Sequence, residues 1–379
     1  MQKEFGVLEL GSGNLRFATV KMSAKMQNMT LFKEISYSGF CDAELLEENH
    51  LAESFDTILK DFNKNLNLIV GIPAEFSGIN NSNYKIEFAK PTKITDKVIT
   101  NFLEKFKSQF LFDKYTVIDA KIIEFLVDGK KITNPIGTMQ ETISALITCV
   151  YVTTSFLSTI KTILNGLDIY NIKYVLTPLA TNLAFLTQQE RENGAIIIDV
   201  GFTTTSVAFS CGDGLLNLTS FSLGSAHITA EIGEHLHLNY NEAESLKKKV
   251  LLNIDPSEVD YYETENKGNY LAIPARQVNR IVKAKIEQIG KIIKKCLTNF
   301  DLDQDIEYPI YLTGGICYIK GALDTLNYVV GKDMEQITSN QINLDRPSLS
   351  ALDGLIKYGV NDINKSKDNI FKKIWAKFA

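Results

Sequence analysis

Two short runs in this chain place an acidic residue one step before a turn of small residues. The first is Leu8-Glu9-Leu10-Gly11-Ser12-Gly13-Asn14, the second Ile198-Asp199-Val200-Gly201-Phe202-Thr203-Thr204-Thr205. A turn built from Gly, Ser and Thr presents backbone N–H groups and hydroxyls with no bulk in the way, a surface that suits phosphate oxygens. The acids Glu9 and Asp199 could each hold Mg2+ through water, and the metal would bridge the phosphates. Strand-type residues resume after each turn, as Phe17-Ala-Thr-Val and Ser206-Val-Ala-Phe. Either turn alone is more often a plain hairpin. Two copies, one in each half of the chain, would clamp a triphosphate between two lobes.

Two further elements could complete such a site. Leu312-Thr313-Gly314-Gly315 follows an apolar strand, and its glycines would let backbone approach a flat base or a ribose. Taken alone it also fits a simple strand-to-helix turn. Glu244 and Lys247 sit three apart on a helical stretch, on one face, where both could reach a ribose. The competing reading there is a surface ion pair.

Buried strands must deliver these loops. Leu68-Ile-Val-Gly-Ile-Pro, Ala195-Ile-Ile-Ile-Asp-Val-Gly and Pro309-Ile-Tyr-Leu-Thr-Gly-Gly are apolar nearly throughout, as strands covered on both faces are. Between them, 276–297 carries Val278, Ile281, Val282, Ile286, Ile289, Ile292 and Ile293 at helical spacing. The fold class is therefore α/β, and 379 residues suffice for two lobes.

Bulk composition narrows the function. Apolar residues make up 45% and charged residues 22%, and the net charge of −5 gives no general pull on nucleic acid. The five cysteines, Cys41, Cys149, Cys211, Cys296 and Cys317, form no CxxC pair and read as reduced thiols. His235 and His237 would not share a helix face, so no metal site is expected there. No signal peptide and no stretch of spanning length is evident, which predicts a cytosolic protein.

The end of the chain is different in kind. A polar run, 361–367, reads as a linker, and Asp368-Asn369 could cap a helix. Ile370, Phe371, Ile374, Trp375 and Phe378 then fall on one helical face, with Lys372, Lys373 and Lys377 beside and opposite it. Aromatics on one face and lysines on the other suit a helix lying in the plane of a membrane surface. The alternative is a helix docked on the protein's own core or on a partner.

These elements, in this order, resemble the actin / DnaK / sugar-kinase superfamily, and longer stretches look like FtsA, the actin homologue of bacterial division. The run Ile118-Asp…Glu124-Phe-Leu-Val-Asp-Gly129…Asn134-Pro135-Ile-Gly137 is similar to a stretch of subdomain 1C of FtsA. Leu146-Ile-Thr-Cys-Val150 resembles the return into the first lobe, and Leu176-Thr-Pro-Leu-Ala180 the entry to the connecting helix. Phe221-Ser-Leu-Gly224-Ser225-Ala-His-Ile-Thr229 resembles the loop near the phosphates, which adds Gly224 and Ser225 to the candidates. Ser348-Leu-Ser-Ala351…Gly354-Leu-Ile-Lys-Tyr-Gly359 resembles the closing helix. The resemblance implies an actin-like two-lobed ATPase fold. The first lobe would be 1–67 and 149–194, with subdomain 1C inserted at 68–148. The second lobe would be 195–360, with its outer part at about 240–305, followed by the linker 361–367 and the membrane helix 368–379.

The resemblance also implies a role. It is that of a scaffold that binds ATP with Mg2+, polymerises on the inner face of the cytoplasmic membrane at the division site, and tethers FtsZ filaments there. Later division proteins would bind through subdomain 1C. Departures from the family pattern bear on its chemistry. The second phosphate loop of the family usually reads Asp-Ile-Gly-Gly-Gly-Thr-Thr-Asp; here two glycines and the last acid are gone, and Phe202 and Thr203 stand in the turn. The glutamate that can orient an attacking water in relatives is Thr177 here. At most a weak ATPase is expected. The alternatives are a PilM-type adaptor of a pilus or secretion machine, and, less consistent with Ser206 and the tail, a sugar or acid kinase.

Overall fold

The computed structural model describes residues 3–378 except 23–26, 111, 128–129, 133, 267–268, 304, 340 and 342. Side chains are described as far as residue 364, apart from 3, 27, 127, 266 and 269.

The two hairpins seed two sheets of the same design. In the first, the strands run Ile172–Leu176, Asn67–Ile72, Lys3–Leu10, Asn14–Met22, Gln27–Ser36. In the second they run Met334–Gln336, Ile310–Thr313, Ala195–Val200, Thr205–Cys211, Gly214–Phe221. Each sheet is three consecutive antiparallel strands with two parallel strands added beside the first. The parallel additions are reached by helical crossovers, which is why apolar residues cover both faces. Val7, Leu8, Ile196 and Ile198 are fully buried.

Leu68–Ile72 belongs to this first sheet, not to the insert. Gly6 pairs with Leu68 and Glu9 with Gly71, in parallel, and all of 68–72 is buried or nearly so. The inserted unit instead has its own four-stranded sheet, from Ser77–Lys93 to Met139–Thr153, with Tyr115–Val127 and Lys130–Ile132 at one side. The helix Asp96–Lys107 covers it with Phe102 and Phe106, over Ile143, Ala145 and Ile147. Leu146–Val150, expected to return to the first lobe, is still in this sheet. The insert therefore runs about ten residues later at its start than an apolar strand in the sequence suggested. Asp128 and Gly129 of the family-like run lie outside the described residues.

The second lobe adds an outer layer. Helices Ser225–Leu236 and Tyr240–Lys247 precede the hairpin Tyr261–Asn266/Asn269–Pro274 and the 25-residue helix Ala275–Asn299. The expected apolar face of that helix is buried at Val278, Ile281, Val282, Ile286, Ile289 and Ile293.

The last helix, Ser350–Phe378, corrects two expectations. It packs on the first lobe, with Leu352, Leu355 and Ile356 among Phe5, Val7, Ala18 and Val175, so the second lobe ends before residue 350. Gly354 makes this possible: a Cβ there would stand 2.8 Å from Thr181 Cα. The helix also runs on through 361–367, where polar composition had suggested a linker; polar residues suit an exposed helix as well as a tether. The side chains of the expected membrane face, Ile370, Phe371, Lys372, Lys373, Ile374, Trp375, Lys377 and Phe378, lie outside the described residues. Among the described residues no helix is long and apolar enough to cross a membrane.

Candidate functional site: a cleft between two matching hairpins

The two turns close in the same way. Gly11 N–H donates to Asn14 O at 3.0 Å, and Gly201 N–H donates to Thr204 O at 2.9 Å. Each turn therefore spans four residues, and each strand-end acid acquires a fixed cross-strand neighbour: Glu9 faces Arg16, and Asp199 faces Ser206. The turns meet across the lobes. Thr203 N–H donates to Ser12 Oγ at 3.0 Å, and Thr203 Oγ1 donates to Phe40 O at 2.9 Å.

Phe202 and Thr203 are accommodated without strain. Neither takes a positive φ, so the β-branched residue carries no penalty. The Phe202 ring lies on Gly13; a Cβ at Gly13 would be 2.3 Å from it. Glycine is needed at 314 too, where φ is +94° and a Cβ would meet Asp199 Oδ1 at 2.3 Å.

Behind the turns is a cleft of about 710 Å3, lined from both lobes. Of the candidates, Glu9, Gly11, Ser12, Gly13, Asn14, Asp199, Gly201, Thr204, Ser225, Glu244, Lys247, Gly314 and Gly315 line it. Thr203, Thr205 and Gly224 do not. Thr205 is buried with its hydroxyl on Leu223 O, and Thr203 is committed to Ser12 and Phe40. The N-terminus of helix Ser225–Leu236 does not face the cleft with open donors either: Ser225 N–H and Ala226 N–H go to Gly201 O and Phe202 O. Glu244 and Lys247 form a 2.7 Å ion pair, and the Lys247 ammonium also donates to Thr229 Oγ1 and Ser225 O. Its three N–H groups are thus engaged, which leaves Glu244 as the group of the two able to accept from a ribose.

Sequence reasoning missed several lining residues: Arg16, Glu34, Glu75, Asn182, Tyr318 and Arg346. Arg16 was within reach of the sequence, because a four-residue turn puts it opposite Glu9. The others come from distant segments and carry no local signal. Several polar atoms of the wall lack partners. Glu75 Oε2, Thr177 Oγ1 and both Asn182 amide atoms are buried with no protein hydrogen bond. Buried groups of this kind are ordinarily satisfied, so the wall has capacity for a polar ligand.

The electrostatics are dominated by one cluster. Arg16 Nη1 is 2.7 Å from Glu9 Oε2, Arg16 Nε is 2.7 Å from Glu34 Oε1, and Arg346 Nη2 is 3.6 Å from Glu34. Burial works against the Arg16 charge, but Glu9 and Glu34 outweigh it and hold the guanidinium protonated. Burial pushes the Glu9 carboxyl up against the pull of Arg16. Asp199 is pushed up to about 6 by burial and by the Glu9 charge, while Arg16 opposes the shift.

Mg2+ was expected on Glu9 and Asp199. The arrangement does not fit it. Glu9 is already paired with the Arg16 guanidinium, so a dication would have to compete with that ion pair for the carboxylate.

Comparison with known proteins agrees with this geometry. Residues 196–354, nearly the whole second lobe with its hairpin, match the family model described as cell division protein FtsA. The FtsA of Bacillus subtilis (strain 168) is 23% identical over 377 residues, covering 93% of this chain and 82% of that protein. Over these stretches the chain is similar to FtsA. Solved structures extend the likeness in fold. A PilM–PilN type IV pilus biogenesis complex matches with TM-score 0.61 at 13% identity, over 93% of this chain and 98% of that one. MreB5 of Spiroplasma citri, bound to AMPPNP, matches with TM-score 0.58 at 11% identity, over 97% and 98%. The actin-like two-lobed architecture follows, and the altered second loop is accommodated within it.

Proposed function

We propose that this chain is a cell-division scaffold: it holds ATP in the interlobe cleft, polymerises on the inner face of the cytoplasmic membrane and tethers FtsZ filaments to it. One observation carries the reading. The lobe that matches FtsA holds the second of two matching turns, and that turn faces the first across a cleft with unpartnered polar atoms in its wall. Gly11 to Asn14, Gly201 and Thr204 would meet the phosphates, Glu244 the ribose, and Gly314 with Gly315 the base.

Hydrolysis is expected to be slow. Thr177, at the place where relatives orient a water, has a hydroxyl that is no general base at neutral pH. Turnover above about one per minute on purified protein would overturn this part.

The tail 368–379 would lie in the membrane surface with Trp375 and its apolar neighbours in the headgroup region. Each helix binds reversibly, and neighbours on one polymer bind together because the second attaches at high effective concentration. The test is sedimentation with anionic vesicles, with and without ATP and FtsZ, for the full chain and for a chain lacking 370–379. The full chain should carry FtsZ down with the vesicles and the shortened chain should not. Equal sedimentation of both forms would refute membrane attachment through the tail. Later division proteins would dock on the insert. A PilM-type adaptor is the second reading, favoured by the irregular second turn; binding of a short peptide in place of FtsZ would support it.

A further inference from the structure

We propose that Arg16 stands in for the divalent cation of this cleft, so that the chain binds a nucleoside polyphosphate without a metal ion. The inference rests on the nucleotide reading and deepens it.

A metal at such a site has two tasks. It offsets the charge of the strand-end carboxylates, and it offers positive charge to the phosphates. Arg16 is built to do both. Strand register, not chance, fixes its place: it pairs with Glu9 on one side and with Glu34 on the other. Its side chain is 11% exposed and that of Glu9 5%, so the pair is largely shielded from water and from salt. The guanidinium lines the cleft and reaches the first turn, where its Nη1 would stand 3.5 Å from a Cβ at Gly11.

The charges around it close on themselves. Two carboxylates, Glu9 and Glu34, are matched by two guanidiniums, Arg16 and Arg346. A phosphate chain entering here meets the Arg16 cation at the first turn, where Glu9 and Glu34 alone would repel it; of the two strand-end acids, Asp199, facing Ser206, is the one without such a partner. The second hairpin has no counterpart. Ser206 faces Asp199 in the position that Arg16 occupies opposite Glu9, so of the two hairpins only the first carries a cation. A guanidinium cannot leave its proton behind, and a dication would have to displace it from Glu9 to enter.

The experiment measures binding of a fluorescent ATP analogue to the full chain, in excess Mg2+ and in EDTA. The expected result is the same affinity in both, within about threefold. Arg16→Lys keeps the charge but not the fork, so it should bind more weakly yet still equally in Mg2+ and in EDTA. Arg16→Gln should lose about tenfold or more in EDTA and recover part of it with Mg2+. A merely structural ion pair would weaken both conditions alike. Wild-type binding that vanishes in EDTA and returns with Mg2+ overturns the inference and leaves the nucleotide reading intact. No binding in either condition overturns both. If Arg16→Gln does not fold, the wild-type comparison alone decides.

Discussion

Ser12 Oγ accepts the backbone N–H of Thr203 at 3.0 Å, so a side chain of the first turn holds the backbone of the second. The bond joins residues 191 apart in sequence and ties the lobes at the mouth of the cleft. Ser12→Ala leaves that N–H without its partner, at a cost of about 1 kcal/mol, or about fivefold faster amide exchange at Thr203. Hydrogen exchange resolved to residues 201–204 checks this. Unchanged protection would mean that the lobes are held by other contacts, such as Thr203 Oγ1 on Phe40 O.

Asn182 should trade function against stability. Its amide is fully buried in the cleft wall, and neither polar atom has a protein partner. Asn182→Leu removes that unsatisfied pair at similar volume and should stabilise the ligand-free protein by about 1–3 kcal/mol. The same change should weaken nucleotide binding by about tenfold, if the ligand supplies the missing partner. Melting and titration on one variant test both halves.

The turn pairs and strand ends were legible because they are local. A glycine, a small residue and an acid at fixed spacing specify a four-residue hairpin, and the hairpin then specifies the neighbours of Glu9 and Asp199. The boundaries of the insert were less so. Leu68–Ile72 reads as a buried strand, but nothing in its residues says which sheet it joins; that depends on pairing with Lys3–Leu10, some sixty residues earlier. Asn182, Glu75 and Arg346 reach the cleft only through tertiary packing, and the hold of Thr229 and Ser225 on Lys247 was not legible because they lie on another helix. The closing helix was placed on the wrong lobe for the same reason: its apolar face fits either sheet until Gly354 meets Thr181.

His227 gives the protein an acid-sensitive helix start. Its Nδ1 accepts the Gly224 N–H at 3.1 Å, which needs the neutral ring. Burial holds its pKa below the ordinary 6.5. The unfolded chain therefore binds the proton first, and folding stability should fall as pH drops below about 6.5. Denaturant titrations between pH 5 and 7.5 should show a smaller loss for His227→Gln, within roughly that same window. An identical pH profile for both proteins would remove His227 as the cause.

Lys121 fastens the insert to the closing helix. Its ammonium is 3.0 Å from Asp119, 3.3 Å from the Tyr358 hydroxyl and 5.3 Å from the centre of that ring. Lys121→Met leaves Asp119 without its cation, and the loss should be about 2 kcal/mol. Proteolysis is the more telling readout, since cleavage near Tyr358 should rise while cleavage within the second lobe stays as it was.

The shared strand order of the two lobes has an evolutionary side. Positions 16 and 206 are equivalent in the two halves, and one is an arginine while the other is a serine. Arg16 is locked between Glu9 and Glu34, whereas Ser206 opposite Asp199 carries no charge. The strand framework shared by the two lobes can therefore carry different cleft chemistry in each half.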